Sequence, residues 1–312
     1  MKLLIIGGSG FLGWNAVRHF ERRGDEVVKT FRWLPHYLHK PDDRPPVRLD
    51  LADGAAIRET VARFQPDLII HTAALARPQI DTDPDELERI NAGATAEVAR
   101  AADAVDAPVV YISTDFVFPP DSGLSNELSP VVDPDHAAPY ALSKLHGEEA
   151  LRQMARRWII FRPSVMFGIS PPGRNCFTQF IEAQWRSGQA APLFTDQIRS
   201  FLYVRDLCRA IEIAAIECRA WNQVFVCGGG EDLTRAEFGR RYADARGVDR
   251  SMCRELSTAE LENYRGGPSD IRLDCRKLRS LGWRPTPLEK AFREMISARV
   301  DWESIRADHE ER

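Results

Sequence analysis

Short apolar runs alternate with helical patterns through the first half of this chain, and that order constrains the fold more than any other feature. The apolar runs that predict buried strands span residues 2–6, 26–31, 67–71 and 108–113. The helical patterns between them span residues 11–23, 55–64 and 87–104. Strands that alternate with helices of about ten or more residues indicate a parallel sheet covered by helices on both faces. The sequence therefore predicts an α/β fold with a doubly wound parallel sheet.

The second half of the chain has a different character. Residues 168–200 are rich in proline, glycine and aromatic side chains, and the chain from residue 228 onward is more charged. Between these segments, residues 223–227 have the pattern of another core strand. We therefore predict a nucleotide-binding domain at 1–167, to which 201–227 return. A smaller, mixed α/β substrate lobe is predicted at 168–200 and 228–312.

Composition excludes several classes of function. The 312 residues are long enough for two domains, and a formal net charge of −4 argues against a nucleic-acid-binding protein. No apolar run approaches the length of a membrane span, and the N-terminus lacks a signal-peptide cleavage site. Six cysteines without a Cys-x-x-Cys pair are typical of a reducing compartment, so we expect a cytoplasmic protein. The seven histidines show no metal-ligand spacing, and no metal site is predicted.

A glycine-rich turn joins the first predicted strand to the first predicted helix. Gly7, Gly10 and Gly13 have Gly-x-x-Gly-x-x-Gly spacing, with Phe11 and Leu12 between the last two. Positions without a side chain let the backbone approach a pyrophosphate, and the helix N-terminus offers N–H groups and a positive dipole end to it. Glycine also serves tight turns for purely steric reasons. Its place at the start of an alternating chain favours nucleotide binding and a Rossmann-type domain.

The end of the second predicted strand bears on which dinucleotide binds. An NAD site normally has an acidic residue there for the ribose 2′-hydroxyl, and residues 27–40 contain none. Arg32 lies near that position, and a guanidinium suits the 2′-phosphate of NADP. A surface arginine on an exposed loop is the alternative. Asp50 and Leu51 follow the next extended segment, where the carboxylate could accept from the adenine amino group.

Tyr140 and Lys144 lie four residues apart, which places a phenol and an ammonium on one face of a helix. Thr114 ends an earlier predicted strand. Carbonyl reduction requires a proton donor, and a free tyrosine has a pKa of about 10. We expect Lys144, with the charge of an oxidised nicotinamide, to lower that pKa, and the Thr114 hydroxyl to hold the substrate oxygen. A Tyr-x-x-x-Lys pair by itself is common on helix surfaces, but together with the glycine loop and Thr114 it is specific.

These residues give the chain its resemblance to a known family. It resembles the extended short-chain dehydrogenase/reductases, and within them the dTDP-4-dehydrorhamnose reductases and related sugar-nucleotide reductases. The matching stretches are residues 7–13, 71–74, 113–118, 140–144, 162–164 and 199–206, with Asn91 in its helix. The resemblance implies Thr114, Tyr140 and Lys144 as the catalytic residues, with Asn91 in support. It also implies Ala73, Ala74, Pro163 and Ser164 beside the cofactor.

One departure from the family excludes a related chemistry. Nucleotide-sugar 4,6-dehydratases read Thr-Asp-Glu where this chain has Thr114, Asp115 and Phe116. A phenylalanine cannot shuttle a proton, so elimination of water is not expected. For substrate contacts we predict Thr114 and Asp115, and three further residues for a sugar nucleotide and its diphosphate. These three are Asn175, Gln179 and Arg199.

The resemblance therefore implies NADPH-dependent reduction of a keto group on a nucleotide-linked deoxy sugar. Two alternatives stay open. One is an epimerase of the same fold that retains NAD, although the missing acid after the second strand argues against it. The other is a non-catalytic nucleotide-binding regulatory subunit that acts by binding a partner enzyme. Relatives often form homodimers, which is our expectation for the assembly.

Overall fold

The computed structural model describes residues 1–33, 45–75, 83–261 and 269–298. Its strands are β1 (Lys2–Ile6), β2 (Glu26–Phe31), β3 (Val47–Arg48), β4 (Leu68–His71), β5 (Val109–Ile112), β6 (Gly123–Ser125), β7 (Trp158–Pro163), β8 (Met166–Phe167), β9 (Ala191–Phe194), β10 (Ile198–Arg199), β11 (Leu202–Tyr203), β12 (Gln223–Cys227), β13 (Leu233–Thr234), β14 (Cys253–Leu256) and β15 (Asp270–Leu273). Its α-helices are α1 (Phe11–Arg22), α2 (Gly54–Phe64), α3 (Pro84–Leu87), α4 (Ala94–Ala104), α5 (Pro139–Met154), α6 (Phe177–Arg186), α7 (Val204–Ile216), α8 (Arg235–Arg246), α9 (Arg276–Arg279) and α10 (Leu288–Ser297).

A seven-stranded parallel sheet forms the centre of the molecule, in the order β12-β7-β5-β4-β1-β2-β3. The chain starts in β1, builds outward through β2 and β3, and then returns to β4 on the other side of β1. Open sheets bind ligands at the carboxyl ends of the strands where the strand order reverses in this way. The predicted doubly wound α/β fold is confirmed.

Two apolar layers hold helices against the sheet. Leu3 and Ile5 face the layer that contains α1 and α7, while Leu4 and Ile6 face the layer that contains α2 and α4. Alternate residues of one strand thus enter opposite cores, which is why the predicted strands are continuous apolar runs. Each fully buried leucine or isoleucine contributes roughly 2 kcal/mol to folding. None of the helices in the described ranges combines the length and the apolarity that crossing a bilayer requires.

The smaller sheets lie mostly in the second half of the chain. A four-stranded sheet has the order β13-β10-β15-β6, and the pairs β9–β14 and β8–β11 are separate. β12 joins the central sheet beside β7. β6, which lies within residues 1–167, pairs with β15 from the last part of the described chain. The division into two domains stays a prediction.

One predicted helix has an irregular turn. We expected a continuous helix at 87–104, and the structure instead places a π-helical segment, Glu88–Gly93, between α3 and α4. π-helical turns are uncommon in proteins, and those that exist are often found at functional sites. This one contains Asn91.

Candidate active site

The glycine loop between β1 and α1 leaves no room for side chains. Gly7 has a φ of +91°, and a Cβ atom there would lie 2.7 Å from the Ala73 Cβ. A Cβ atom on Gly13 would clash with the Gly7 carbonyl oxygen. The Gly10 N–H donates to the same oxygen at 2.9 Å, which closes the turn. Because α1 has no side-chain cap and no acidic residue in its first turn, its N–H groups and positive dipole end suit an anion.

A cavity of about 1080 Å³ runs from the glycine loop to α5. It brings together the glycine loop, the ends of the neighbouring strands and the start of α5. The predicted residues that line it are Gly7, Gly10, Phe11, Leu12, Gly13, Arg32, Asp50, Leu51, Ala73, Ala74, Tyr140, Lys144 and Asn175. Among the described residues, the predicted Asn91, Thr114, Asp115, Pro163, Ser164, Gln179 and Arg199 are not part of this lining.

One end of the cavity is formed by the residues after β2 and β3. Arg32 Nε lies 3.3 Å from Asp50 Oδ2, so two residues predicted for different parts of a nucleotide form an ion pair with each other. The Arg32 side chain is 47% exposed and accessible to a ligand. Trp33 lies near two cations, with the Arg32 and Arg48 guanidinium carbons 5.8 and 5.9 Å from its ring centroid. Arg48 was not predicted, and its position at the end of β3 is the only sequence signal.

The other end of the cavity is formed by α5 and the residues after β5. α5 begins at Pro139, which suits the first helical position because it has no N–H to satisfy. Tyr140 and Lys144 follow on one face and both line the cavity. Thr114 caps the short 3₁₀ turn Asp115–Val117 that follows β5, and its hydroxyl oxygen accepts from the Phe116 N–H at 3.3 Å.

Tyr140 is half-buried in the cavity wall, and desolvation is the main influence on the pKa of its phenol. Desolvation raises the pKa of Tyr140 to about 12, and the negative charge of Asp115 adds to the rise, while a hydrogen bond from Thr114 opposes it. The rise reflects the cost of removing a phenolate from water, which exceeds the stabilisation by the Thr114 hydroxyl. The expectation that Lys144 and an oxidised nicotinamide together lower this pKa stays a prediction.

Lys144 is almost completely buried. Burial lowers its pKa to about 7, and the carboxylate of Glu148 opposes the shift. Its Nζ atom lies 4.0 Å from the centroid of the Tyr111 ring, where the electron-rich face stabilises the ammonium. Glu148 was not predicted, although it lies one turn after Lys144 on the same helix face. Near neutral pH, Lys144 is therefore close to its midpoint of protonation.

Asn91 ties three parts of the site together. Its Oδ1 accepts from the Leu75 N–H at 2.8 Å, and its Nδ2 donates to the Leu75 carbonyl at 3.2 Å and to Ser143 Oγ at 3.0 Å. Leu75 lines the cavity, and Ser143 lies between Tyr140 and Lys144 on α5. The buried Asn91 amide on the π-helical turn thus bonds both the Leu75 backbone and Ser143 of α5.

Asp115 and Arg199 lie behind Tyr140 rather than in the cavity wall. Asp115 is buried, and desolvation raises its pKa to about 6, with the Arg199 charge opposing the rise. Arg199 is fully buried and donates from Nη1 to the Ile198 and Ser269 carbonyls at 2.7 and 3.2 Å. The structure therefore places the predicted diphosphate cation inside the protein, because those carbonyls and Asp115 surround it. Pro163 ends β7, Ser164 follows it, and both are buried.

The segment before α6 reaches the cavity from the second half of the chain. Asn175 is exposed and lines the cavity, whereas Gln179 donates from Nε2 to the Ser170 carbonyl at 3.1 Å. Arg174, which the sequence offers as a possible cation of the second lobe or as a surface arginine, also lines the cavity, and its Nε donates to the Ser9 carbonyl at 2.9 Å. Within the described ranges, no group of three or more His, Cys, Asp or Glu side chains is arranged to hold a metal ion.

Comparisons with known proteins identify a family and similar sequences. The profile of the RmlD substrate binding domain family matches residues 1–300. The beta subunit of methionine adenosyltransferase 2 from Mus musculus is 26% identical over 306 residues, which cover 95% of this chain and 87% of that protein.

Solved structures share the fold. The dTDP-4-dehydrorhamnose reductase of Bacillus anthracis, in complex with NADP, superposes with a TM-score of 0.79 at 23% identity, covering 95% of this chain and 99% of that chain. The dTDP-glucose 4,6-dehydratase DesIV of Streptomyces venezuelae, with NAD bound, has a TM-score of 0.78 at 26% identity, covering 98% of this chain and all of that chain. The predicted resemblance is confirmed, and the chain belongs to the RmlD substrate binding domain family.

Proposed function

We propose that this protein reduces a keto group on a nucleotide-linked deoxy sugar with NADPH. The observation that carries the proposal is the single cavity that runs from the glycine loop to Tyr140 and Lys144. A dinucleotide lying along it has its pyrophosphate at the N-terminus of α1 and its nicotinamide end near α5. The glycine loop supports this fit, because added Cβ atoms at Gly7 and Gly13 would collide with neighbouring atoms.

The proposed roles of the residues follow from their protonation and placement. When bound, NADPH supplies the hydride. Tyr140 stays protonated at neutral pH, since its pKa is about 12, and it donates its proton to the carbonyl oxygen as negative charge develops there. The Thr114 hydroxyl bonds the same oxygen, and Lys144 binds the nicotinamide ribose. Asn91 holds α5 and the Leu75 backbone in the positions that these contacts require.

The preference for NADP rests on the residues after β2. Phe31 at the end of β2 and the described residues that follow it, Arg32 and Trp33, line the cavity, and none of the three is acidic. Arg32 can exchange its exposed pairing with Asp50 for a 2′-phosphate, because a surface ion pair contributes only about 0–1 kcal/mol. Asp50, released from that pair, can then accept from the adenine amino group.

Arg32→Ala tests this preference. We expect the Kd for NADPH to rise by about tenfold or more, since a charge-assisted bond to a phosphate contributes about 1.5–3 kcal/mol, and the Kd for NADH to change little. Binding is measured by titration of purified protein with each nucleotide. Arg58→Ala on α2 is the matched control, because that exposed arginine pairs with Glu97 instead. Equal losses for NADPH and NADH would contradict the 2′-phosphate contact.

Two other functions have support. The similarity to the beta subunit of methionine adenosyltransferase 2 favours a regulatory protein that binds a partner enzyme. An epimerase with retained NAD is the other candidate, because the same fold occurs in a UDP-glucose 4-epimerase of Thermus thermophilus complexed with NAD. Denaturing the purified protein and identifying the released nucleotide by mass spectrometry separates these. A partial load of NADP(H) supports the reductase, whereas one NAD per chain supports the epimerase. Stable co-purification with a partner and no turnover of keto sugars supports the regulatory function.

The proposed function also bears on the cellular compartment of the protein and on its binding partners. All six cysteines are free thiols, which suits a reducing compartment, so we propose that the protein works in the cytoplasm. The substrate is a small nucleotide sugar, with no role for nucleic acid or membrane. The homodimer expected from the resemblance stays a prediction.

A further inference from the structure

The segment before α6 is fastened onto the glycine loop by two side chains. Asn15 of α1 donates from Nδ2 to the Ile169 carbonyl at 2.9 Å, and to the Phe11 carbonyl within its own helix at the same distance. In the opposite direction, Arg174 Nε donates to the Ser9 carbonyl at 2.9 Å. Residues 169–174 therefore lie directly across the N-terminus of α1.

A compact turn holds the backbone of Arg174 in place. Its N–H donates to the Pro171 carbonyl at 3.1 Å, and its carbonyl accepts from Ser170 Oγ at 2.8 Å. Gln179, on α6, donates to the Ser170 carbonyl and so connects this turn to the helix. The guanidinium is thereby kept in the cavity wall beside Ser9 and Gly10.

This placement puts two positive features next to each other. The N-terminus of α1 carries the positive end of the helix dipole, and its first turn contains no acidic side chain. The Arg174 guanidinium lines the same cavity and adds a second positive charge at this end. A diphosphate suits both features, because planar guanidinium groups pair with phosphate oxygens and the helix N–H groups bind the same anion.

We propose that Arg174 binds the diphosphate bridge of the dinucleotide from the side opposite the glycine loop. The proposal rests on the proposed function, since it assigns a residue to the same nucleotide site. It also gives the bound nucleotide contacts on both halves of the chain, so that occupying the cavity strengthens the attachment of residues 169–174 to α1.

Titrations of Arg174→Gln with nucleotide fragments test the proposal. We expect the Kd values of NADP⁺ and ADP-ribose to rise together by about ten- to a hundredfold, as for loss of a charged phosphate contact. Adenosine 2′-monophosphate has no diphosphate and should bind unchanged. Arg174→Lys keeps the charge and should give an intermediate Kd, with a salt dependence like that of the wild type. Arg186→Gln, at an exposed site on α6, removes the same charge away from the loop and is the matched control.

Three outcomes overturn the proposal, and they are distinguishable. Unchanged Kd values for NADP⁺ and ADP-ribose in folded Arg174→Gln remove Arg174 from the site and leave the proposed function standing. A loss confined to dTDP or UDP, measured on NADPH-loaded protein, assigns Arg174 to the diphosphate of the sugar nucleotide instead. A wild-type protein that binds none of these nucleotides contradicts this proposal and the proposed function together. If Arg174→Gln does not fold, the test is the intermediate Kd expected of Arg174→Lys for NADP⁺ and ADP-ribose, and a wild-type Kd in that variant would contradict the proposal.

Discussion

Tyr140 and Lys144 show how burial sets the chemistry of individual side chains. Desolvation disfavours the charged form of each, so it raises the pKa of the phenol to about 12 and lowers that of the ammonium to about 7. Both groups are thus pushed towards their neutral forms. A phenol that remains protonated at neutral pH is suited to donate a proton during reduction, and a partly neutral Lys144 makes the site sensitive to Glu148.

Tyr140→Phe tests the proton-donor role. We expect cofactor Kd to stay within a factor of about two and turnover to fall by about 10²–10⁴-fold, because only the proton donor is lost. Turnover is followed as NADPH oxidation with a keto-sugar nucleotide. Tyr242→Phe also removes a partly buried hydroxyl, which donates to Glu182, and it should keep wild-type turnover. A Tyr140→Phe variant with undiminished rate would exclude the phenol as the donor.

The sequence predicts some of these residues better than others. Spacing along a single strand end or helix predicts the positions of Gly7, Arg32, Tyr140 and Lys144. All four line the cavity. Arg199 could not be placed in this way. Its burial depends on the Ser269 carbonyl and on Asp115, which come from distant parts of the chain, and a charged side chain is ordinarily exposed.

At the scale of elements, a buried ion pair joins α5 to β7. Arg162 donates from Nε and Nη2 to the two Glu148 oxygens at 2.9 and 2.7 Å, and Ser113 Oγ donates to Glu148 at 2.6 Å. Burial alone would raise the pKa of Glu148, but Arg162 lowers it below its usual range. The helix that carries Tyr140 and Lys144 is therefore attached to the sheet by charges with little exposure to water.

Breaking one side of this pair should cost more than removing both. We expect Glu148→Leu to lower the free energy of unfolding by about 3–5 kcal/mol, because it leaves the Arg162 charge buried without its partner. The double variant Glu148→Leu/Arg162→Met should recover much of that loss. Urea unfolding of the three proteins measures the difference. A double variant no more stable than Glu148→Leu would show that packing, rather than the unpaired charge, accounts for the cost.

The π-helical turn could not be predicted from the sequence of its own helix. The apolar pattern over 87–104 correctly predicts a helix but contains no sign of a wider turn at Glu88–Gly93. Asn91 contacts Leu75 and Ser143 from this turn, and both partners lie outside its own helix. Tertiary contacts of this kind set the local winding, and periodicity in a single segment cannot report them.

At the scale of the whole molecule, His71 links stability to pH. It is buried at the end of β4, and desolvation, with a contribution from the Lys144 charge, lowers its pKa to about 3. The unfolded chain takes up a proton below about pH 6.5, whereas the folded protein does not, so stability falls as the pH decreases from about 6.5 towards 3.

His71→Gln should weaken that dependence. Between about pH 7 and pH 5 the wild type should lose about 2 kcal/mol through His71, and the variant should not show this part of the loss. The measurement is the free energy of unfolding in urea at both pH values. His136→Gln, whose ring is 79% exposed, is the control and should keep the wild-type dependence. A variant with the same pH dependence as the wild type would assign it to other groups.

The central sheet follows from the sequence because each of its longer strands is a continuous apolar run between helices. The smaller sheets do not. β6, β10, β13 and β15 are two to four residues long, and such segments carry no periodicity that distinguishes them from loops. Their pairing is decided by contacts between distant parts of the chain, so the division into two units could only be approximate.

The pairing of β6 with β15 has a consequence for how the protein is made. A ribosome delivers the central strands up to β7 early, and they can associate as the chain emerges. β6 leaves the ribosome before β7, but its partner is among the last strands to be synthesised. During that interval the backbone edge of β6 lacks its pairing with β15. During translation the nascent chain therefore has a nearly complete nucleotide domain and one unpaired strand edge. We expect a chaperone to bind such an edge.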